Sequence, residues 1–222
     1  FPYTTLFRSI RDYPGLVHNT AAITPHDAAT LGNEYFQAIK EAAAHRHLVA
    51  IGETGLDYHY MPASKEIQKD TFIRHLHLAL ECFLPVVIHC REAFHDLFEI
   101  LDAEYIPHPH ALPGIMHCFT GTLEEAHRSI DRNWFVSFSG ILTFKKSESL
   151  KTAAQGVPLN NLLIETDAPY LSPDPLRGKR NEPAHIVHTA RCLADLKQIS
   201  LEEMANITWN NGHRAFKISR DT

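Results

Sequence analysis

The chain has 222 residues, 44% of them hydrophobic and 21% charged, the proportions of one ordinary globular domain. Its 21 basic residues against 26 acidic ones give a formal net charge of −5, which excludes a broad basic platform for nucleic acid but leaves room for a small groove that takes a strand end. No apolar run reaches the roughly 18 residues of a membrane span, and the cysteines (Cys82, Cys90, Cys118, Cys192) form no C-x-x-C pair, so reduced thiols in a cytoplasmic compartment are expected.

The opening peptide FPYTTLFRS has no initiator Met and lacks the charged–apolar–small order of a signal peptide, so residues 1–9 read as foreign to an otherwise single domain. A short apolar run, Thr20 to Ile23, comes first, and a helix is expected from Asn33 to Ala44. The strand LVAIG (48–52) leads into the loop ETGLDYHYMPAS. A long helix starts at Ser64, with Phe72, Leu76, Ala79 and Phe83 spaced as a buried stripe. PVVIHC (85–90) is apolar throughout, as a strand covered on both faces should be. A helix follows from about Glu92 to Tyr105, with Phe94, Leu97, Phe98 and Leu101 on one side.

GIMHCF (114–119) is the next strand, and Thr122 with Glu125 makes a capping box for the helix after it. WFVSFSG (134–140), a helix near Ser147 to Ala154 and NLLIETD (161–167) complete the alternation. From Ala168 to Pro183 the chain is an irregular loop, and two helices close it, the second with a capping box at Ser200 and Glu203. Strands alternating with helices mean a parallel sheet and an α/β fold. Five strong strands and one weak one fit a TIM-like (β/α) barrel, which usually takes about 250 residues, lacking its first strand. An open doubly wound sheet competes, but no Gly-rich fingerprint follows any strand.

Four apolar runs end in residues that bind hard or borderline metals: Glu53, His89, His117 and Asp167, each at least 28 residues from the next. In a parallel barrel the C-terminal strand ends share one face, so such residues converge. Each has a bland reading alone: a capping Glu, a core His, a solvated turn Asp. Two histidines at matching strand ends weaken that reading, because neutral imidazole is the commonest nitrogen ligand for zinc-like ions. A carboxylate such as Glu53 can bridge two cations, which an imidazole cannot. Glu165 and Asp167, two apart on a strand, share a face and a charge conflict that a cation would relieve. Arg177, Lys179 and Arg180 are either an exposed solubility loop or donors that hold a phosphate beside the metals, with Asn181 adding a neutral hydrogen bond. Arg91, two residues after His89, has the same two readings.

The motifs IGETGLDYHY, PVVIHCRE, GIMHCFTG, SFSGILTF, LLIETDAPYL, GKRNEP and NITWNNGHRAF stand in order along the chain. Together they resemble the TatD family of metal-dependent deoxyribonucleases, from about Thr20 to Ile218. The resemblance implies a TIM-like barrel holding two divalent ions (Mg, Mn or Zn). Glu53 would bridge them, His89 and His117 would complete one ion's protein ligands, and Asp167 would bind the other and orient or deprotonate the attacking water. Glu53 and Asp167 are thus the expected catalytic carboxylates. The expected substrate is DNA, as single strands or strand ends, with no membrane involved.

The family also opens with an H-x-H pair at the end of its first strand. Here His45 and His47 precede a strand, His75 and His77 lie about 200° apart around one helix, and His108 and His110 sit before a strand. None has the right geometry, so the pair is expected to be missing with the first strand, leaving one ion firmly held. Thr24 also stands where the family usually has a His. Two rivals remain: a hydrolase of another ester or an amide on the same scaffold, and an inactive fragment lacking the H-x-H ligands.

Overall fold

The structure, a computed structural model, describes residues 8–61 and 63–219. Most of the peptide expected to be foreign therefore lies outside the described residues. The chain forms two compact units, one made of the residues up to Gly114 with the C-terminal residues from Phe216, the other running Ile115–Ala215.

The first unit holds α1 (Arg8–Asp12), β1 (Thr20–Ala21), α2 (Asn33–Ala44), β2 (Ala50–Asp57), α3 (Lys65–Cys82), β3 (Val86–Arg91) and α4 (Phe94–Glu104). Its strands pair in parallel and in sequence order, Thr20 opposite Ala50 and Ile51 opposite Val86. Ile51, Leu56, Val86 and Ile88 are wholly buried, each such side chain stabilising the fold by ~1.5–3 kcal/mol. α3 starts where expected, with the Ser64 hydroxyl accepting from the Ile67 N–H. Its stripe is Phe72, Leu76 and Ala79, all fully buried. Phe83 leaves that stripe: it caps the helix in a left-handed conformation, φ 57°, and is 57% exposed. The stripe of α4 is as expected, with Phe94, Leu97, Phe98 and Leu101 buried.

β2 corrects the sequence reading. The strand was expected to stop at Gly52, yet ETGLD stays extended to Asp57, opposite Arg91. Its glycines permit close strand approach, where a turn was expected. Gly55 lies opposite His89 at φ +143°, and a Cβ there would stand 2.0 Å from the His89 carbonyl oxygen. The register with β3 also shifts between Ile51 and Thr54, so β2 accommodates an extra residue where Glu53 stands, a device that re-aims side chains.

The second unit holds β4 (Ile115–Met116), α5 (Leu123–Ile130), β5 (Phe135–Phe138), α6 (Glu148–Gly156), β6 (Leu162–Ile164), α7 (Ile186–Lys197) and α8 (Leu201–Phe216). These strands are also parallel and in order, Ile115 opposite Phe135 and Val136 opposite Leu162. The Thr122–Glu125 capping box is present in both directions, and the Ser200 hydroxyl accepts from the Glu203 N–H at 3.0 Å. Buried Asn211 donates to the Leu159 and Leu162 carbonyls, both at 2.8 Å, and Asn161 donates to that of Trp134. β4 and β6 are shorter than expected, because past each strand the backbone turns left-handed, at Cys118 (φ 42°) and Asp167 (φ 57°). Residues 168–182 form the expected irregular loop. Among the described residues no helix is long and apolar enough to cross a membrane.

Candidate metal-binding site

In the first unit Glu53 comes from β2 and His89 from β3. The His89 imidazole lies between two carboxylates: Nε2 is 3.0 Å from Asp57 Oδ2, and Nδ1 is 4.0 Å from Glu53 Oε1. Asp57 is fully buried at the end of β2. Burial alone would raise its pKa, but the Tyr60 N–H and the His89 imidazole outweigh that and hold it below its usual value. Asp57 Oδ1 accepts from the His59 and Tyr60 N–H groups at 3.0 and 2.8 Å. An ionised Asp57 is an acceptor suited to Nε2–H of His89, which leaves Nδ1 as the ring nitrogen on the Glu53 side.

Asp57 is itself held by α3. Buried Gln68 accepts from the Asp57 N–H at 2.7 Å and donates to the Asp57 and Ala63 carbonyls, both at 3.0 Å. His26, in the loop after β1, brings Nε2 to 3.5 Å from Asp57 Oδ2. That loop is anchored by His75, whose Nε2 accepts from the Ile23 N–H at 3.0 Å while Nδ1 contacts the Thr71 carbonyl. Desolvation lowers the His75 pKa to about 4, so it is a neutral structural group.

In the second unit His117 follows β4. Its Nδ1 is 2.9 Å from Glu165 Oε1, and its Nε2 is 3.8 Å from Asp167 Oδ1. The other Glu165 oxygen accepts from the Cys118 N–H at 3.1 Å and from the Ser137 hydroxyl. One carboxylate thus ties the ends of all three strands of this unit.

Asn181 is 2% exposed and donates to the Thr166 and Tyr170 carbonyls, both at 2.6 Å. Both amide hydrogens are thereby used in shaping the loop around Asp167, where the sequence suggested a contact to substrate. Arg177 lies over the Phe144 ring at 4.3 Å, and Arg177, Lys179 and Arg180 are exposed. Arg91 lies over the Tyr60 ring at 4.7 Å.

Each imidazole therefore has one nitrogen within 3.0 Å of a carboxylate oxygen while the other faces a second carboxylate; the His89–Asp57 contact is a hydrogen bond, whereas Glu165 Oε1 meets His117 at contact distance without one. Metal-ligating histidines are oriented in this way, and His, Asp and Glu donors suit divalent ions from Zn to Mn and Mg. Among the described residues three groups within single units meet the spacing of a cation site: His26–Asp57–His89, His117–Glu165–Asp167, and His95–Asp96–Glu99 on the surface of α4, away from the strand ends. Among the described residues none of the three H-x-H pairs joins such a group. His75 is buried in the core, His77 pairs with Glu104, and His45 stacks on His47.

Sequence reasoning missed Asp57 and His26. The signal for Asp57 was present: Glu53, Gly55 and Asp57 alternate along one strand face, once the strand is read past its glycines. His26 had no signal beyond its neighbour Thr24, whose hydroxyl bonds Asp27. Glu165 was noticed for its charge, but its contact with His117 was not foreseen.

The TatD related DNase family model matches residues 3–217. A Bacillus subtilis relative, the uncharacterized metal-dependent hydrolase YabD, is 45% identical, over 88% of this chain and 75% of its own length. A second, from Escherichia fergusonii, is named 3'-5' ssDNA/RNA exonuclease TatD and is 35% identical, over 94% of this chain and 81% of its own. Among solved structures, YJJV, a TatD homolog from Escherichia coli, superposes with a TM-score of 0.86 at 22% identity, covering 98% of this chain and 83% of its own. That likeness shows the fold, which is of the α/β, TIM-like class expected from the sequence.

Proposed function

The chain belongs to the TatD related DNase family of metal-dependent hydrolases, and from that premise we propose that it hydrolyses phosphodiester bonds at the ends of single-stranded nucleic acid, DNA foremost. The observation that carries this reading is the paired arrangement of His89 with Asp57 and Glu53, and of His117 with Glu165 and Asp167.

In this reading Glu53, His89, His117 and Asp167 would hold the divalent ions. Bound ions supply Lewis acidity toward the phosphate and make a water molecule a better nucleophile near neutral pH. Asp57 sets which ring nitrogen of His89 faces the ligand side through its hydrogen bond, and Glu165 lies in the matching place beside His117. Asp167 would orient the attacking water and take its proton as the water oxygen bonds to phosphorus and the P–O bond to the leaving oxygen breaks, that oxygen being protonated from solvent. Its left-handed backbone, held through the Asn181 amide, keeps the carboxylate near His117. Arg91, Arg177, Lys179 and Arg180 serve as phosphate donors. A modest basic loop on a chain of net charge −5 favours grip on a strand end over wrapping of duplex.

A panel tests this reading: metal-stripped protein resupplied with Mg, Mn or Zn, against single-stranded DNA, duplex DNA, RNA and small ester and amide substrates. Metal-dependent shortening of single strands from an end is the expected result. Turnover of the small amides or esters alone would replace it with the rival hydrolase reading.

A further inference from the structure

Beside His89 the first unit presents a ring that the proposed chemistry does not use. Tyr60 is 61% exposed, yet it is not loosely placed. Its N–H donates at 2.8 Å to Asp57 Oδ1, and the other oxygen of that buried carboxylate holds His89 Nε2 at 3.0 Å. One rigid group therefore sets the position of both the exposed ring and the candidate metal ligand. Two residues earlier, Tyr58 fixes the same turn through its hydroxyl, which donates to Asp96 Oδ2 at 2.7 Å.

The ring also has company suited to a nucleotide. His26 lies with its ring centroid 5.7 Å from that of Tyr60 and 5.7 Å from that of His89, so three aromatic rings lead outward from the ligand. The Arg91 guanidinium sits 4.7 Å from the Tyr60 ring centre, and it brings a positive charge to a surface otherwise suited to stacking. Single-stranded nucleic acid is commonly held by an aromatic face for a base with a cation for the adjoining phosphate.

We propose that Tyr60 is a base-stacking platform, with Arg91 as the phosphate contact beside it, that seats one nucleobase of a single strand next to His89. This deepens the phosphodiester reading and rests on it for the identity of the ligand.

The test compares two oligonucleotides of equal length, one fully base-bearing and one abasic at successive positions near the end that is cleaved. Binding is read by fluorescence anisotropy with the labelled strands, and hydrolysis in parallel with Mn. Wild-type protein should prefer the base-bearing strand by about tenfold, as expected for one aromatic stack. Tyr60→Ala should collapse that preference through KM, and Tyr60→Trp should keep or strengthen it. A preference that survives Tyr60→Ala, or that is lost equally in Tyr60→Trp, overturns the platform while the nuclease reading stands. Base-dependent binding through Tyr60 without hydrolysis keeps the platform and removes the nuclease reading. Failure of wild-type protein to bind either strand removes both.

Discussion

The two units solve one problem with opposite atoms. His89 is held through Nε2 by Asp57 and turns Nδ1 toward Glu53; His117 meets Glu165 at Nδ1 and turns Nε2 toward Asp167. The outcomes match closely: the imidazoles are 19% and 17% exposed, and Glu53 and Asp167 are each 29% exposed. The holding groups differ. Asp57 is fully buried, with its second oxygen spent on turn amides. Glu165 is 17% exposed and spends its second oxygen on Cys118 and Ser137. What is constrained is the presented nitrogen; which nitrogen and which carboxylate do the holding is open.

The largest expected effect breaks the comparison at its chemical end. Asp167→Asn should lower kcat on the order of a thousandfold, while metal binding through the first unit's ligands persists by isothermal titration. Retained turnover would remove Asp167 from proton handling. Next come the two holders. Asp57→Asn and Glu165→Gln should each weaken metal affinity by about 10- to 100-fold. If only one does so, the parallel between the units is geometric and not functional.

The smallest effect separates the units by acid. The His75 pKa is about 4 in the fold, against a usual 6.5. Below pH 6.5 the unfolded chain takes up a proton there that the folded chain refuses, so this contribution to stability falls as pH drops toward 4. By pH 5 it should amount to roughly 2 kcal/mol, read from urea midpoints at pH 7 and 5 and reduced in His75→Gln. An unchanged pH dependence in that variant would take His75 out of the acid response.

Much of this was legible in the sequence because it rests on local rules. The alternation of strands and helices, the Ser64 start of α3 and the Thr122–Glu125 box follow from periodicity and caps. The four candidate ligands were legible because each ends an apolar run. What was not legible depends on neighbours distant in sequence. Glycines at 52 and 55 read as turn residues, because only β3 reveals how closely a second backbone passes. Phe83 fitted a helical stripe, yet the helix ends under it. Asn181 looked like a polar group on offer, but its hydrogens are consumed by carbonyls that a loop brings back to it.

Gln68 carries a consequence beyond placing Asp57. Its single amide staples Asp57 and Ala63, the two ends of one loop, and Asp57 grips that loop through main-chain N–H groups alone. None of these contacts reads the identity of the loop's side chains. Apart from Tyr58, whose hydroxyl is committed to Asp96, the exposed positions 59 and 60 are thus free to vary: natural variation or design can rewrite what they show to a substrate while the carboxylate behind His89 keeps its register.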